Sequence, residues 1–344
     1  MSTGHAGVQT LIRPTMRSTI EDTIRGEYRN ILPEARQLRD VYIKRDNFFG
    51  LHVVTSRRFV CTLKALGPSN EPLEIKIFVK NRGNVLEEAE HMQLLWREHY
   101  CQGNKYQIPE PLYVDKTHKL LFLRYWPGDG FLSLFYRSAM GGRQQSIPIA
   151  EDYAENAARW LVDFQQIYSL ADKKEVPTEL LDFSKQLTTM QGFSAAVRER
   201  IGDKMRGLQD TLPRLRDTYV HDQYLSRNIL YKVGAICVID FPHFRTGWPL
   251  YDFLTFYTGI ERLKQYPFFS DATAELMKEV FAQTYLSSKG LCYDAEWLEN
   301  LWAFFILGYV AKRYSNKDVG RVRGLVNNAF IKQMLRKLAS WSKN

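Results

Sequence analysis

His221-Asp222-Gln223-Tyr224-Leu225-Ser226-Arg227-Asn228-Ile229-Leu230-Tyr231 leads, through Lys232-Val233-Gly234-Ala235, into Ile236-Cys237-Val238-Ile239-Asp240-Phe241. The two apolar, β-branched runs Ile229 to Tyr231 and Ile236 to Ile239 read as short strands, and the linking residues include a glycine and suit a hairpin turn. Antiparallel pairing about that turn sets Tyr231 against Ile236 and Ile229 against Val238, which predicts Asn228 and Asp240 abreast at the open end. An amide oxygen beside a carboxylate forms a hard-oxygen site of the kind Mg²⁺ accepts when it bridges the phosphates of a nucleotide. Asn and Asp also cap plain hairpins, so these residues alone leave a metal site and a structural turn both open.

Outward from this ribbon the periodicity changes along the chain. Residues 1–45 are polar and Arg-rich, with one helix predicted from Ser18 to Asn30, and read as a flexible or helical N-terminal extension. β-Branched and aromatic residues dominate from Phe48 to Leu66 and from Leu73 to Lys80, with the turn former Gly67-Pro68-Ser69-Asn70 between them. In the second run Leu73, Ile75, Ile77 and Val79 share one face, and Glu74, Lys76, Phe78 and Lys80 the other. A helix is predicted over Val85 to Tyr100, then a breaker at Ile108-Pro109-Glu110-Pro111, then a strand from Leu120 to Tyr125.

Beyond Ile149 the spacing becomes helical: Tyr153, Ala157, Trp160, Leu161, Phe164 and Tyr168 recur every three or four residues. Similar stripes run through Thr273 to Tyr285, Ala295 to Arg313 and Arg321 to Trp341. The chain therefore reads as α+β, with a small β-rich lobe at 46–125 and a large, mainly helical lobe at 126–344.

The 344 residues suffice for two moderate domains, since single cores stop growing near roughly 250–300 residues. A net charge of +9 attracts anions without choosing among nucleic acid, membrane surface and phosphate-bearing ligand. Zinc-finger spacing, RNP-like aromatic strands and basic heptads do not occur, which argues against nucleic acid. Cys61, Cys101, Cys237 and Cys292 stand far apart and read as reduced thiols. Met1 to Thr10 carries no signal-peptide-like apolar core, and the longest apolar stretch, Leu301 to Ala311, falls well short of the ~20 residues of a spanning helix. The expectation is a cytoplasmic protein.

The stretch from His221 to Leu230, then Val238-Ile239-Asp240-Phe241, then Pro249-Leu250-Tyr251-Asp252, resembles the aminoglycoside phosphotransferase and choline kinase family, whose pattern reads HGDxxxxNIL, then IDF, then YD. The resemblance implies a protein-kinase-like, two-lobed fold and an ATP- and Mg²⁺-dependent phosphotransferase acting on a hydroxyl group. It implies Asn228 and Asp240 as Mg²⁺ ligands and His221 as a structural histidine. Lys76 resembles the small-lobe lysine that contacts the nucleotide's phosphates, with Lys80 as its nearest rival, and Glu88 the glutamate that pairs with that lysine. Phe122, Leu123 and Arg124 resemble the hinge strand whose backbone receives adenine, and Ser56 stands in the place of a phosphate-covering turn that here lacks glycine.

One departure bears on activity. Five residues before Asn228, where the family has its catalytic aspartate, this chain has Gln223, and an aspartate stands one place earlier at Asp222. An amide cannot take up a proton as a carboxylate can. Three outcomes are open: Asp222 re-registers into the site, Gln223 orients the acceptor of a slow enzyme, or the protein is a nucleotide-binding pseudokinase acting as scaffold or regulator. Pro242 is a second departure, in a position where kinase-like proteins often have glycine, and it stiffens the loop.

The acceptor is expected to be a sugar, a lipopolysaccharide sugar or an amino alcohol. Phe253, Phe256, Tyr257, Trp302, Phe304, Phe305 and Tyr309 suit a stacked sugar or a cationic headgroup, but also an ordinary core. Lys332, Arg336 and Lys337 on the helix Phe330 to Trp341 suit either an anionic membrane surface or, as the favoured reading, a solvated face.

Overall fold

The computed structural model of the protein describes residues 14–45, 58–81, 84–102, 105–131, 133–135, 143–173, 194–211, 215–265, 269–314, 333, 336–337 and 340. The chain divides into two compact units, one comprising Met1–Pro127 with Ile239–Pro242, the other Gly128–Val238 with His243–Asn344.

In the first unit the period-2 runs form a sheet. Its strands are β1 (Gln37–Arg45), β2 (Arg58–Leu66), β3 (Pro72–Asn81), β5 (Pro111–Asp115) and β6 (Leu120–Arg124), in the order β1-β2-β3-β6-β5, with every neighbouring pair antiparallel. A two-residue strand, β4 (Tyr106–Gln107), precedes β5. The expected turn joins β2 to β3: Asn70 donates its N–H to the Gly67 carbonyl and adopts φ 67°, a left-handed conformation that asparagine tolerates.

β1 lies within the stretch whose polar composition reads as an N-terminal extension. It is the sheet's edge strand, and helix α1 (Pro14–Ile31) packs beside it. Ile20, Ile24 and Ile31 of α1 are wholly buried with Leu32, Cys61, Leu63, Ile77, Val79 and Phe122 in one core. The sheet's apolar face needs a cover, and three isoleucines, Ile20, Ile24 and Ile31, spread over about three turns can supply it even though the helix is polar on average.

Along β3 burial rises from one end to the other: Lys76 is exposed, whereas Ile77, Val79, Lys80 and Asn81 are buried. Helix α2 (Val85–Glu98) follows directly and buries Val85, Glu88, Ala89, Met92 and Leu95, spaced three or four residues apart on one face.

The second unit is mainly helical: α3 (Arg143–Gln166), α4 (Ala195–Thr211), α5 (Leu250–Leu263), α6 (Asp271–Ser288) and α7 (Ala295–Tyr314). The predicted stripe on α3 is the core, with Tyr153, Ala157, Trp160, Leu161 and Phe164 fully buried. Phe253 stacks against Phe281 and Tyr285 at 5.3 and 4.8 Å between ring centroids, which locks α5 onto α6. Ser270 caps α6 by accepting the Thr273 N–H at 3.1 Å. Short strands complete the unit: β8 (Ser169–Lys173), β9 (Arg216–Val220) and β12 (Arg245–Gly247) in one sheet, and β7 (Asp129–Gly130), β10 (Ile229–Lys232) and β11 (Ala235–Val238) in the ribbon region.

The fully buried carboxylate Glu261 of α5 is satisfied by Lys264, Lys278 and Lys337 at 2.8, 3.0 and 3.0 Å. Burial alone would raise its pKa; the surrounding lysines, Lys278 foremost, hold it down to about 2. Lys337 belongs to the terminal stretch whose basic face suits a membrane surface, and it turns to Glu261 and the Trp302 ring instead. Lys332 lies outside the described residues.

Replacing Ile24 by Ala removes a fully buried side chain from the α1 contribution to the sheet's core. The expected loss is about 2–5 kcal/mol, read as a lowered urea midpoint with an unchanged slope. A variant as stable as the parent would show that α1 is not part of the first unit's cooperative core.

Candidate active site

Lys80 lies on the same face of β3 as Lys76, two strand repeats further along, at the buried end of the strand. Its Nζ donates to both oxygens of Glu88 at 2.5 Å and to Oδ1 of Asp240 at 2.5 Å. The three side chains are between 1% and 6% exposed, so they are taken out of water as a paired cluster. The pairing expected between Lys76 and Glu88 is therefore made by Lys80. Both lysines have the right parity on the strand, and only α2, arriving over the far end, separates them.

Asp240 has φ 78°, in the left-handed region, and the residue after it is held by α2 through both its N–H and its carbonyl. The Phe241 N–H donates to Glu88 Oε1 at 3.2 Å, and its carbonyl lies 3.2 Å from His91 Nδ1.

In the second unit the ribbon has the expected register, Ile229 opposite Val238 and Tyr231 opposite Ile236. Asp152 of α3 ties its turn down, accepting from the Tyr231 hydroxyl and from the Gly234 N–H. Asn228 directly precedes β10, is 2% exposed, and donates its amide N–H to the Gln223 carbonyl at 2.9 Å, closing the loop of residues 223–228.

The start of that loop hangs on Asp252. Its carboxylate accepts the His221 N–H at 2.6 Å and the Asp222 N–H at 3.0 Å. Complete burial raises its pKa to about 7, against the lowering effect of the His221 N–H. His221 is fully buried, and its Nδ1 accepts the Gln223 N–H at 3.3 Å.

Asp222 adopts φ 63°, the conformation that glycine serves best, and its carboxylate is gripped by Arg245 Nε and Nη2 at 3.1 and 3.0 Å. This two-pronged pair fixes Asp222 within its own loop, where Arg245 also lies 5.2 Å from the Tyr251 ring. Gln223 is the next residue, half-buried.

The remaining expected site residues belong neither to the Lys80 cluster nor to the loop of residues 221–228. Phe122, Leu123 and Arg124 sit in a strand paired on both flanks, to β3 and to β5, which uses their backbone groups in the sheet. The Arg124 side chain is bound by Glu110 at 2.5 Å and Glu34 at 3.1 Å. Ser56 lies outside the described residues. Phe253, Phe256, Trp302 and Phe305 are core; the cation facing Tyr257 and Trp302 is the chain's own Lys278, 5.2 Å from each ring. The side chains of Phe304 and Tyr309 lie outside the described set.

Sequence reading missed His91, Arg245 and Asp152. His91 stands three residues after Glu88 and so on the same helix face, a signal present in the sequence. Nothing local marked the other two, whose partners are 23 and 79 residues away.

The sequence matches the APH phosphotransferase enzyme family over residues 53–290. The chain belongs to that family. Solved structures agree on the fold. A candidate aminoglycoside phosphotransferase from Ralstonia eutropha is 13% identical, with 95% of this chain and 98% of that one covered at a TM-score of 0.57. A choline kinase from Cryptosporidium parvum is 11% identical, with 94% and 100% covered at 0.53. A choline/ethanolamine kinase family protein from Mesorhizobium loti is 13% identical, with 94% and 100% covered at 0.52. No curated protein matches the chain. For an APH phosphotransferase the fold is thus the α+β, protein-kinase-like one, and no described helix is long and apolar enough to cross a membrane.

Lys80→Met leaves Glu88 and Asp240 buried without their cation, and a destabilisation of about 3–5 kcal/mol is expected by denaturant unfolding. Lys76→Met, at an exposed position, should stay within about 0.5 kcal/mol of the parent.

Asp252 sets a pH dependence. Its folded pKa is raised, so its contribution to stability is full below the ordinary carboxylate range and is lost as pH rises through about 7. The stability difference between the parent and Asp252→Asn should therefore shift against the parent from about pH 4 to 7 and level off above, in urea melts across that range.

Proposed function

We propose that this protein is an ATP- and Mg²⁺-dependent phosphotransferase that acts on a hydroxyl of a small molecule, a sugar, a lipopolysaccharide sugar or an amino alcohol. The observation that carries the reading is the buried Lys80 held between Glu88 and Asp240. A buried ammonium steadied by a helix glutamate is a fixed positive point for phosphate oxygens, and phosphoryl transfer depends chiefly on positioning and charge neutralisation.

The donor set fits magnesium. Among the described residues no three His, Cys, Asp or Glu side chains gather as a self-sufficient metal cage. Mg²⁺ at nucleotide sites relies on one or two protein oxygens plus phosphates and water, and the Asp240 carboxylate and the Asn228 amide oxygen are of that kind. Asn228 spends its amide N–H on the Gln223 carbonyl, which leaves its oxygen as the ligating atom. When bound, the ion would neutralise charge on the phosphates.

Proton removal is the weak element of the site. Gln223 can orient an acceptor hydroxyl but cannot take its proton, and Asp222 is engaged by Arg245. That pair favours a slow transferase in which positioning does most of the catalysis, and it also supports the second reading, a nucleotide-binding protein that transfers nothing.

Thermal shift with Mg²⁺-ATP tests binding, and phosphate transfer to a panel of sugars and amino alcohols tests turnover. Gln223→Asp should raise kcat by roughly 10²–10⁴ where a general base limits the rate. Binding without turnover in the parent, unchanged by Gln223→Asp, would leave the second reading in place of the first.

A further inference from the structure

We infer that His91 is a positioning residue, which holds Asp240 in its left-handed backbone so that its carboxylate meets Lys80; the functional consequence rests on the reading of Asp240 as a metal ligand. The segment Ile239–Pro242 contacts α2 through a pair of polar links from one residue, Phe241, whose N–H reaches Glu88 Oε1 and whose carbonyl meets His91 Nδ1, both at 3.2 Å. A carbonyl only accepts, so Nδ1 is the protonated nitrogen of this pair. Glu88 and His91 are one helical turn apart, and the two together grip a single peptide residue by its opposite ends.

The grip matters because of what precedes it. Asp240 sits at φ 78°, a conformation that L-residues with a side chain occupy only when their surroundings over-determine it. Phe241 is fully buried, so its backbone groups have protein partners or go unsatisfied. Glu88 is already engaged by Lys80, and its hold on the Phe241 N–H fixes only the peptide plane between Asp240 and Phe241. The His91 contact holds the following plane, between Phe241 and Pro242, so that the backbone of Phe241 is fixed from both sides. With both planes held, the Asp240 side chain is aimed at Lys80 at 2.5 Å. Pro242 stiffens the next link in the same direction.

The test compares His91→Leu with His91→Asn, whose amide nitrogen can reproduce the Nδ1 donor, after both are shown to melt cooperatively. Hydrogen exchange at the Phe241 amide reads the positioning directly, and the Mg²⁺ concentration at half-saturation of nucleotide stabilisation reads its consequence. His91→Leu should speed Phe241 exchange and raise that Mg²⁺ concentration, each by about 3- to 10-fold, the loss of one hydrogen bond, while His91→Asn restores both. Unchanged exchange in His91→Leu, or no rescue by His91→Asn, overturns the proposal. A parent protein that shows no Mg²⁺-dependent nucleotide stabilisation counts against the kinase reading instead, and the exchange comparison then still decides the role of His91.

Discussion

A single ammonium group buried against two carboxylates constrains the first unit more than any other contact. Lys80 is 3% exposed, and its ammonium is paired there with the buried carboxylates of Glu88 and Asp240. The strand β3, the helix α2 and the segment after the ribbon are thereby bound to one point in space, although Asp240 is 160 residues from Lys80. Two carboxylates against one ammonium leave the cluster one negative charge in excess. That is an environment suited to a further cation, and it gives the proposed metal role of Asp240 an electrostatic basis independent of the family pattern.

The loop from His221 to Asn228 is built differently, by spending charge on backbone. Asp252 uses both carboxylate oxygens on consecutive N–H groups, and Arg245 uses two guanidinium nitrogens on the one side chain, Asp222, whose φ of 63° would otherwise suit glycine. Where the family pattern has glycine, this chain has an aspartate with its own dedicated partner. The carboxylate at 222 is accordingly part of the loop's scaffold, and the adjacent residue, Gln223, is an amide. The balance between slow transfer and binding alone turns on these two neighbouring side chains.

Much of this was legible in the chain. The ribbon and its register followed from two short β-branched runs around a glycine-containing turn, because strand pairing across a tight turn is a local property. The stripe on α3 followed from helical spacing, whereas Glu88 was singled out only by the family pattern. The choice between Lys76 and Lys80 did not follow, since a period of two gives both the same face and burial along a strand depends on what covers it. The pairing of β6 on both flanks, to β3 and to β5, did not follow either, since it joins segments that only the fold brings side by side. The polar average of α1 concealed isoleucines that a sheet face could recruit. The aromatics after Asp252 were readable as either pocket or core, and the decision came from Lys278 and the rings of α6 filling the space.

What the sequence determined by itself was whatever depends on neighbours within a turn or two: the strand and helix periods, the hairpin, the family pattern around Asn228 and Asp240, and the missing carboxylate at 223. What the tertiary structure alone decided was which of several equivalent polar residues were taken out of water. Lys80 rather than Lys76, the engagement of Asp222 by Arg245, and the hold of His91 on Phe241 all arise from segments far apart in the chain. The physical reason is that desolvation of a charge or a peptide group is set by everything packed around it, and a local pattern carries no record of what arrives from a distance.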